Sequence, residues 1–333
     1  MKRLGALNVG KLLEASFAPV VIVLLSIYMW LTSPVFMTTV NITNILLQVS
    51  ILAIVAFGMT FVIIAGQLDL SQGSANALIG VVAADVMVRS DNIWVGILVG
   101  VAMGVGVGLF NGFVTAYLKV PSFITTLGVL VMARGLAREV TAGNTVGNLP
   151  ASFTDFMSKE VLGLGMPVLI AVVWGVVMHV LLSRTQFGLH VFSVGGNPEA
   201  SHRAGIDVKR VLLAVFIVSG ISIAVSGLTL LGRVRAGQPN ASTLLELYAV
   251  AGVILGGTRL TGGKGSIPRT AAGVLLIGLI QNSLNLKNVT SNYQQVVLGL
   301  VFILAMTTES FGNQVREIAR RLRNWRSDGQ QVS

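Results

Sequence analysis

The part of the sequence closest to a catalytic motif is a glycine-rich run, LGGTRLTGGKGS, at residues 255–266. A nucleotide-binding phosphate loop needs a glycine, four further residues, and then Gly-Lys followed by Ser or Thr. Gly263 and Lys264 supply the Gly-Lys pair, but Thr258 stands where the first glycine should be and Gly265 where the hydroxyl should be. The sequence therefore does not predict ATP hydrolysis by this chain.

The other reactive side chains also lack the spacing of a catalytic or metal site. The 333 residues include no cysteine, which excludes a thiolate metal site and a cysteine nucleophile. The three histidines, His179, His190 and His202, lack the spacing of metal ligands, and no Gly-x-Ser-x-Gly elbow is present. Asp69 could be a cation or proton site, but a helix starting near Ser71 favours a capping role. The sequence thus predicts neither an enzyme nor a bound cofactor.

The elements that carry these residues are predicted to lie in a membrane. Hydrophobic residues make up 53% of the chain and charged residues 11%, whereas charged residues reach about 25% in soluble domains. Ten apolar segments are long enough to be candidate spans, at residues 17–32, 43–65, 72–88, 93–117, 121–141, 166–182, 211–231, 243–257, 267–286 and 293–308. The third and eighth are weak and could be broken or re-entrant. The predicted fold class is an all-α polytopic membrane protein with about ten transmembrane helices, some of them short or broken.

The distribution of basic residues assigns a side of the membrane to each loop. Ten spans put both termini on the same side, and most of the 23 lysines and arginines fall on that side. The positive-inside rule then makes the termini and the loop 183–210 cytoplasmic. The predicted divisions are a cytoplasmic segment 1–16, a transmembrane domain 17–309 and a basic tail 310–333 that anchors at the bilayer surface. The net charge of +10 is therefore interpreted as topology rather than nucleic-acid binding.

The cytoplasmic loop 183–210 contains signals for one short helix. Asn197 can cap it with its side chain, Pro198 fits the first helical position, and Gly205 can end it in a left-handed conformation. A helix from Pro198 to Ala204 is too short to be stable alone in water. We therefore expect a partner to dock against it, with a passive connector as the alternative.

The clearest periodic signal is a row of five glycines spaced four residues apart in the fourth apolar segment. They are Gly96, Gly100, Gly104, Gly108 and Gly112. This spacing places them on one face of a helix, where a neighbouring backbone can approach closely. The pattern favours packing within one subunit over a dimer interface.

Neutral hydrogen-bonding side chains within the apolar segments suggest a route for an uncharged polar molecule. The candidates are Thr60, Asn76, Asn111, Thr125, Thr126, Gln281, Asn282 and Asn285. Most residues of this kind serve helix packing. As a set without charges, however, they suit a neutral polyol better than an ion. Only Asp85 and Glu246 are candidate buried acids, which disfavours an ion-coupled carrier.

Four stretches together resemble a known family. They are GMTFVIIAGQLDLSQGS (58–74), VPSFITTLG (120–128), GGNPEASHRAGI (195–206) and ELYAVAGVILGGTRLTGGKGS (246–266). In this order they are similar to the signature stretches of the ribose-type permeases of bacterial ABC sugar importers. The chain departs from the family's common pattern at Gln67, Leu68, Gln72 and Tyr248, which leaves the particular sugar unassigned.

The resemblance implies a multi-pass permease subunit of the bacterial inner membrane. Such a subunit is usually paired as a homodimer or heterodimer. It receives a pentose, hexose or related small polyol from a periplasmic binding protein, and a separate cytoplasmic ATPase drives it. The implied coupling helix, which docks on the ATPase, comprises Asn197, Pro198, Glu199, Ala200, Ser201, His202, Arg203, Ala204 and Gly205.

The expected mechanism is alternating access, in which ATP binding on the partner opens a path between two permease chains. An outer loop with Arg233, Arg235 and Gln238 is the candidate contact for acidic residues of the binding protein. Two other classes stay open. An ion-coupled secondary sugar carrier would need no ATPase, and a scaffold or receptor would transport nothing.

Overall fold

Helices make up most of the part of the chain that the structure describes. The computed structural model describes residues 9–301 and 303, with their side chains from residue 18 onward. The helices are α1 (Val9–Thr32), α2 (Thr39–Ile64), α3 (Gln72–Ser90), α4 (Ile93–Ala116), α5 (Ser122–Val140), α6 (Ala151–Ser158), α7 (Met166–Arg184), α8 (Gln186–Gly196), α9 (Pro198–Arg203), α10 (Val208–Val234), α11 (Leu245–Leu255) and α12 (Ile267–Leu286). Two short strands, β1 (Glu160–Val161) and β2 (Leu164–Gly165), pair as an antiparallel hairpin between α6 and α7. Residues 291–301 and 303 are also helical.

Each of the first nine predicted apolar segments overlaps a helix, and the described part of the tenth is helical. Among the described residues, four helices are long and apolar enough to cross a membrane by length and composition, namely α2, α4, α7 and α10. The tenth segment, 293–308, is described only at 293–301 and 303, and the predicted tail 310–333 lies outside the described residues, as do residues 1–8. The described residues up to Leu286 form one compact unit, and the helix at 291–301 belongs to a second.

The α4 glycines pack against α10, the helix at the centre of the first unit. A Cβ added to Gly104 would overlap the carbonyl oxygen of Gly220, and a Cβ added to Gly220 would overlap that of Gly104. Gly108 meets the Phe216 carbonyl in the same way. The glycine row thus brings two backbones into direct contact, and the prediction of packing within one subunit is confirmed.

The eighth predicted segment forms only a short helix. α11 has 11 residues, which corresponds to about 16 Å of helix, whereas the hydrocarbon core of a bilayer is about 30 Å thick. The preceding residues 235–244 are not helical, and Arg235, Ser242 and Leu244 there have positive φ angles of 57°, 58° and 64°. α11 is therefore a half-length helix entered through an irregular segment, which we call the outer segment (residues 235–244).

The structure also contains elements that the sequence did not indicate. The loop 183–210 holds a second helix, α8, which is 11 residues long and capped by the Thr185 hydroxyl, which accepts from the Gly188 amide. Phe187 on α8 stacks on Phe61 of α2, with 6.0 Å between the ring centroids. α8 is therefore packed on the membrane helices and leads directly into α9.

Candidate functional site

Local capping builds the predicted coupling helix. Asn197 has an extended backbone, with φ −160° and ψ 103°, and its side-chain oxygen accepts from the Ala200 amide at 2.9 Å. Pro198 occupies the first turn, and Gly205 with φ 86° follows the helix end. The helix α9 runs from Pro198 to Arg203, one residue shorter than expected, because Ala204 is its C-cap. The prediction of a short capped helix is confirmed.

Most of α9 faces outward from the chain. Every residue from Asn197 to Gly205 is exposed except Ser201, which is 2% exposed. The Ser201 hydroxyl lies 2.9 Å from that of Ser193 on α8, so a partly buried hydrogen bond joins the two helices. Glu199 and Arg203 approach to 3.8 Å with side chains 86% and 83% exposed, and such a surface pair is weak. α9 therefore presents an exposed polar surface with charges of both signs, while its buried side is bonded to α8.

Three backbone segments meet immediately before α9, at a place we call the glycine crossing (the Ile64 carbonyl, Gly195, Gly262 and Gly263). The Gly263 amide donates to the Ile64 carbonyl at 2.8 Å. A Cβ added to Gly195 would overlap that same carbonyl oxygen, and one added to Gly262 would lie 2.6 Å from the Gly195 oxygen. Only glycine at residue 195 permits this approach, because any side chain would separate the segments.

The junction between α2 and α3 folds around a buried carboxylate. Asp69 is 1% exposed, accepts from the Ser71 amide at 3.1 Å and from the Ser71 hydroxyl, and accepts from the Ser219 hydroxyl of α10 at 2.7 Å. Asn111 of α4 donates to the Ser71 hydroxyl at 3.0 Å, and Gln72 donates to the Ser219 hydroxyl at 2.9 Å. We call these five residues the Asp69 cluster.

The Asp69 cluster positions the start of α3 and has spare acceptor capacity. Burial raises the pKa of the Asp69 carboxyl above its ordinary value, and the hydrogen bonds from Ser71 and Ser219 act in the opposite direction. The side-chain oxygens of Gln72 and Asn111 are buried without a donor among the described residues. The prediction that Asp69 caps α3 is wrong in that form, because the N-cap is Ser71 and no side chain makes a capping hydrogen bond there. The Asp69 carboxylate instead accepts from the amide of Ser71, directly before the helix.

Backbone amides of the same junction are held by α5. The Leu68 amide donates to the Ser122 hydroxyl at 3.1 Å, and the Leu70 amide donates to the Thr126 hydroxyl at 3.0 Å. Thr126, which is fully buried, in turn donates to the carbonyl of Ser122. The junction is thus anchored to α4, α5 and α10 rather than left as a free loop.

Arg134 holds the outer segment from within α5. Its guanidinium donates to the carbonyls of Pro239 at 2.9 Å and Ala241 at 2.8 Å, and its positive charge also attracts the Glu246 carboxylate of α11. The Ser242 hydroxyl donates to the side-chain oxygen of Asn76 at 2.8 Å. These contacts fix the outer segment to α3 and α5.

A cavity of about 200 Å³ lies between the outer segment, α3 and α10. Its lining includes Asn76 and Gly80 of α3, Gly227 and Val234 of α10, and Gln238 and Ser242 of the outer segment. Amide and hydroxyl groups among small residues can hydrogen-bond an uncharged polar molecule without demanding a charge on it.

The structure divides the predicted path residues into two groups. Asn76, Asn111 and Thr126 lie around the start of α3, whereas a second group joins α2 to α12. In that group Asn282 exchanges hydrogen bonds with Asn41 at 3.2 and 2.7 Å, Gln281 accepts from Gln48 at 3.0 Å, and Thr60 lies 2.8 Å from Thr270. Thr125 donates weakly within its own helix, to Pro121 at 3.4 Å, and Asn285 is exposed.

The predicted binding-protein contacts lie at the far end of α10 from α9. Arg233 is in the last turn of α10, Arg235 caps it, and Gln238 is exposed on the outer segment. Arg235 also donates to the Ser158 hydroxyl of α6 at 2.8 Å. Reasoning from the sequence missed Arg134 as a positioning residue, although an arginine within an apolar segment is itself a signal.

Comparison with known proteins gives a consistent result. The sequence profile of the family described as "Branched-chain amino acid transport system / permease component" matches residues 41–306. The L-arabinose transport system permease protein AraH of Escherichia coli (strain K12) is 37% identical over 283 residues, 85% of this chain and 86% of the relative. The ribose import permease protein RbsC of Bacillus subtilis (strain 168) is 40% identical over 285 residues, 85% and 88% of the two chains.

The xylose transport system permease protein XylH of Escherichia coli (strain K12) is 33% identical over 358 aligned positions, with 87% of this chain and 90% of the relative covered. No solved structure gives a significant match. The similarity therefore extends over most of each protein and is carried by sequence alone.

Proposed function

The chain belongs to the family of branched-chain amino acid transport system permease components, and from that premise we propose that it imports a monosaccharide. It is a multi-pass membrane permease subunit of a bacterial ABC importer and not the ATPase of that importer. The relatives reported above are named for L-arabinose, ribose and xylose, which are all pentoses. A pentose or another small neutral sugar is accordingly the proposed substrate.

The single observation that carries the proposal is the similarity to these sugar permeases over more than four-fifths of the chain. In the proposed arrangement the chain crosses the bacterial inner membrane ten times with both termini in the cytoplasm. Residues 17–309 form the permease domain, 183–210 its cytoplasmic loop, and 310–333 a basic tail. A periplasmic binding protein delivers the sugar, a separate cytoplasmic ATPase supplies the energy, and a second permease chain completes the path.

The proposed ATPase contact is α9 with its flanking residues, Asn197 to Gly205. The geometry that supports this is its exposure, its charge and its fixed base on α8. α10 begins five residues after α9 and has 27 residues, which makes it about 40 Å long. A helix of that length separates α9 from Arg233, Arg235 and Gln238, which suits an ATPase on one side and a binding protein on the other.

The proposed entry to the sugar path is the cavity under the outer segment, where the exposed Gln238 offers hydrogen bonds to sugar hydroxyls. Asn76 belongs to the proposed path as part of the cavity lining, held in place by its hydrogen bond from Ser242. The remaining members of the proposed path are Thr60, Asn111, Thr125, Thr126, Gln281, Asn282 and Asn285. Those bonded between α2 and α12 are already partnered within the subunit, so they contribute to the path through helix packing.

Cysteine crosslinking tests the coupling assignment on a background free of native cysteines. Glu199→Cys and Arg203→Cys should crosslink to the ATPase subunit in membranes. Leu162→Cys on the hairpin, where the parent side chain is 96% exposed, is the matched control and should not. The absence of a crosslink at every position from 197 to 205 would contradict the assignment.

An ion-coupled sugar carrier remains the alternative class, and reconstitution in liposomes distinguishes the two. The proposed importer moves sugar only when ATPase, binding protein and ATP are all present. A carrier would move sugar on a sodium or proton gradient with this chain alone.

A further inference from the structure

The glycine crossing connects the proposed ATPase contact to both junctions that frame the polar core. Gly195 is the penultimate residue of α8 and stands two residues before Asn197, the cap of α9. Its close neighbour Ile64 is the last residue of α2, and Gly263 lies in the junction between α11 and α12. A single point of contact therefore touches three segments that are distant in the sequence.

The segment that carries Gly195 is joined firmly to α9. The Asn197 amide donates to the Ser193 carbonyl at 3.0 Å, and the hydroxyls of Ser193 and Ser201 lie 2.9 Å apart. Val191 and Val194 of α8 are buried. A displacement of α9 must consequently move the end of α8 with it.

Movement at the Ile64 carbonyl leads directly into the Asp69 cluster. The junction after Ile64 is short, and the Leu68 and Leu70 amides and the Asp69 carboxylate in it are each hydrogen-bonded to α5 or α10. A junction held by this many hydrogen bonds can change its conformation only a little. A shift of the end of α2 would therefore displace the start of α3.

The second junction leads to the outer segment through α11. Gly263 donates to Ile64, and α11 ends at Leu255, eight residues earlier. At its other end α11 abuts α3, where a Cβ added to Gly73 would overlap the Glu246 carboxylate. α11 and the short junction after it thus connect the outer segment to the glycine crossing.

Backbone contact suits this connection because it leaves no side chain that could change rotamer and absorb a displacement. We propose that Gly195 is the positioning residue through which movement of α9 reaches both junctions at once. This inference rests on the proposed function, because it assumes that a separate ATPase moves α9.

The test compares two adjacent glycines in the fully assembled transporter, with permease, ATPase and binding protein in liposomes. Gly195→Ala places a methyl group on the Ile64 carbonyl, whereas a Cβ added to Gly196 meets no described atom within 4 Å. The measured quantity is sugar moved per ATP hydrolysed, together with stimulation of the ATPase by the binding protein. A merely structural defect would lower transport and ATPase in proportion and leave the ratio unchanged.

We expect Gly195→Ala to lower sugar moved per ATP by about tenfold, a size typical of coupling between distant sites, while Gly196→Ala behaves as the parent. An unchanged ratio in Gly195→Ala, in a parent complex that does transport, would overturn the inference. A parent complex that moves no sugar with ATP would instead refute the proposed function.

A milder variant keeps the test decisive if Gly195→Ala does not fold. The three atoms nearest to a Cβ added at Gly265 all belong to side chains, two of Ile64 at 2.7 and 2.8 Å and one of Thr258 at 2.8 Å, and these side chains can adjust. Gly265→Ala should press on the same end of α2 and lower the ratio by about threefold, less than is typical of full coupling. A parental ratio in this variant would overturn the inference independently.

Discussion

At the scale of single residues, two arginines on α5 show how burial decides what a charge does. Arg134 donates to two carbonyls of the outer segment, Pro239 and Ala241, whereas Arg138, one turn later, donates to the Asn240 side chain from an exposed position. Removing a partner from a buried carbonyl costs about 1–3 kcal/mol, while an exposed polar pair contributes about 1 kcal/mol or less. The two arginines should therefore differ in their effect on the cavity.

We predict that Arg134→Ala lowers the initial rate of sugar uptake by about tenfold, because about 1.4 kcal/mol of lost positioning corresponds to that factor. Arg138→Ala should change it by less than about twofold. Uptake rates measured against sugar concentration, normalised to the amount of permease in the membrane, provide the check. Equal losses in the two variants would show that Arg134 does not position the outer segment.

At the scale of elements, the sequence could predict what is decided locally. Apolar length indicated the helices, the row of glycines indicated the face of α4, and Asn197, Pro198 and Gly205 indicated α9, because each signal lies within a few residues of the structure it forms. α8 escaped prediction because its apolar contacts, such as Phe187 on Phe61, depend on a helix far away in the sequence. The conformation of the outer segment could not be predicted because it depends on hydrogen bonds from Arg134, about 100 residues earlier in the chain.

The contact between α4 and α10 gives a prediction at the same scale. Gly104→Ala should destabilise the protein by about 1–3 kcal/mol, because the added methyl group overlaps the Gly220 carbonyl and the helices must separate. Gly106→Ala is the matched control on the same helix, since no described atom lies within 4 Å of its added Cβ. Its stability should stay within about 1 kcal/mol of the parent.

Thermal unfolding in detergent, followed by loss of monodisperse protein, measures both variants. A Gly104→Ala protein as stable as Gly106→Ala would mean that the two helices are not in backbone contact.

At the scale of the whole importer, the proposed partners act at opposite ends of α10. Charge complementarity mainly steers encounter and is weakened by salt. The double variant Arg233→Glu with Arg235→Glu should therefore lose most of the ATPase stimulation by the binding protein, and the loss should shrink as ionic strength rises. ATPase assays across a salt series test this expectation.

Ser158→Ala is the control for this pair of reversals. It removes the hydroxyl to which Arg235 donates but leaves both positive charges in place, so stimulation should persist. Full stimulation in the double reversal would remove these arginines from the binding-protein contact.

The family and the general function could be reached from the sequence because four motifs stand in matching order along one chain. The arrangement of the polar core could not, since its contacts join distant residues. Asp69 and Ser219 are 150 residues apart, and Arg134 and Ala241 are 107 apart. No pattern within a short stretch of sequence predicts a hydrogen-bond partner at such a separation.

The long separation of Asp69 and Ser219 has a consequence for biosynthesis. Chains are made at about 5–20 residues per second, so roughly 8–30 s pass between the synthesis of Asp69 and the arrival of Ser219. During that interval α2 and α3 are already available for insertion while the carboxylate lacks its partner on α10. Ser71, two residues away, can donate to it from the start. The hydrogen bonds from Ser71 therefore stabilise the Asp69 carboxylate until α10 has been made.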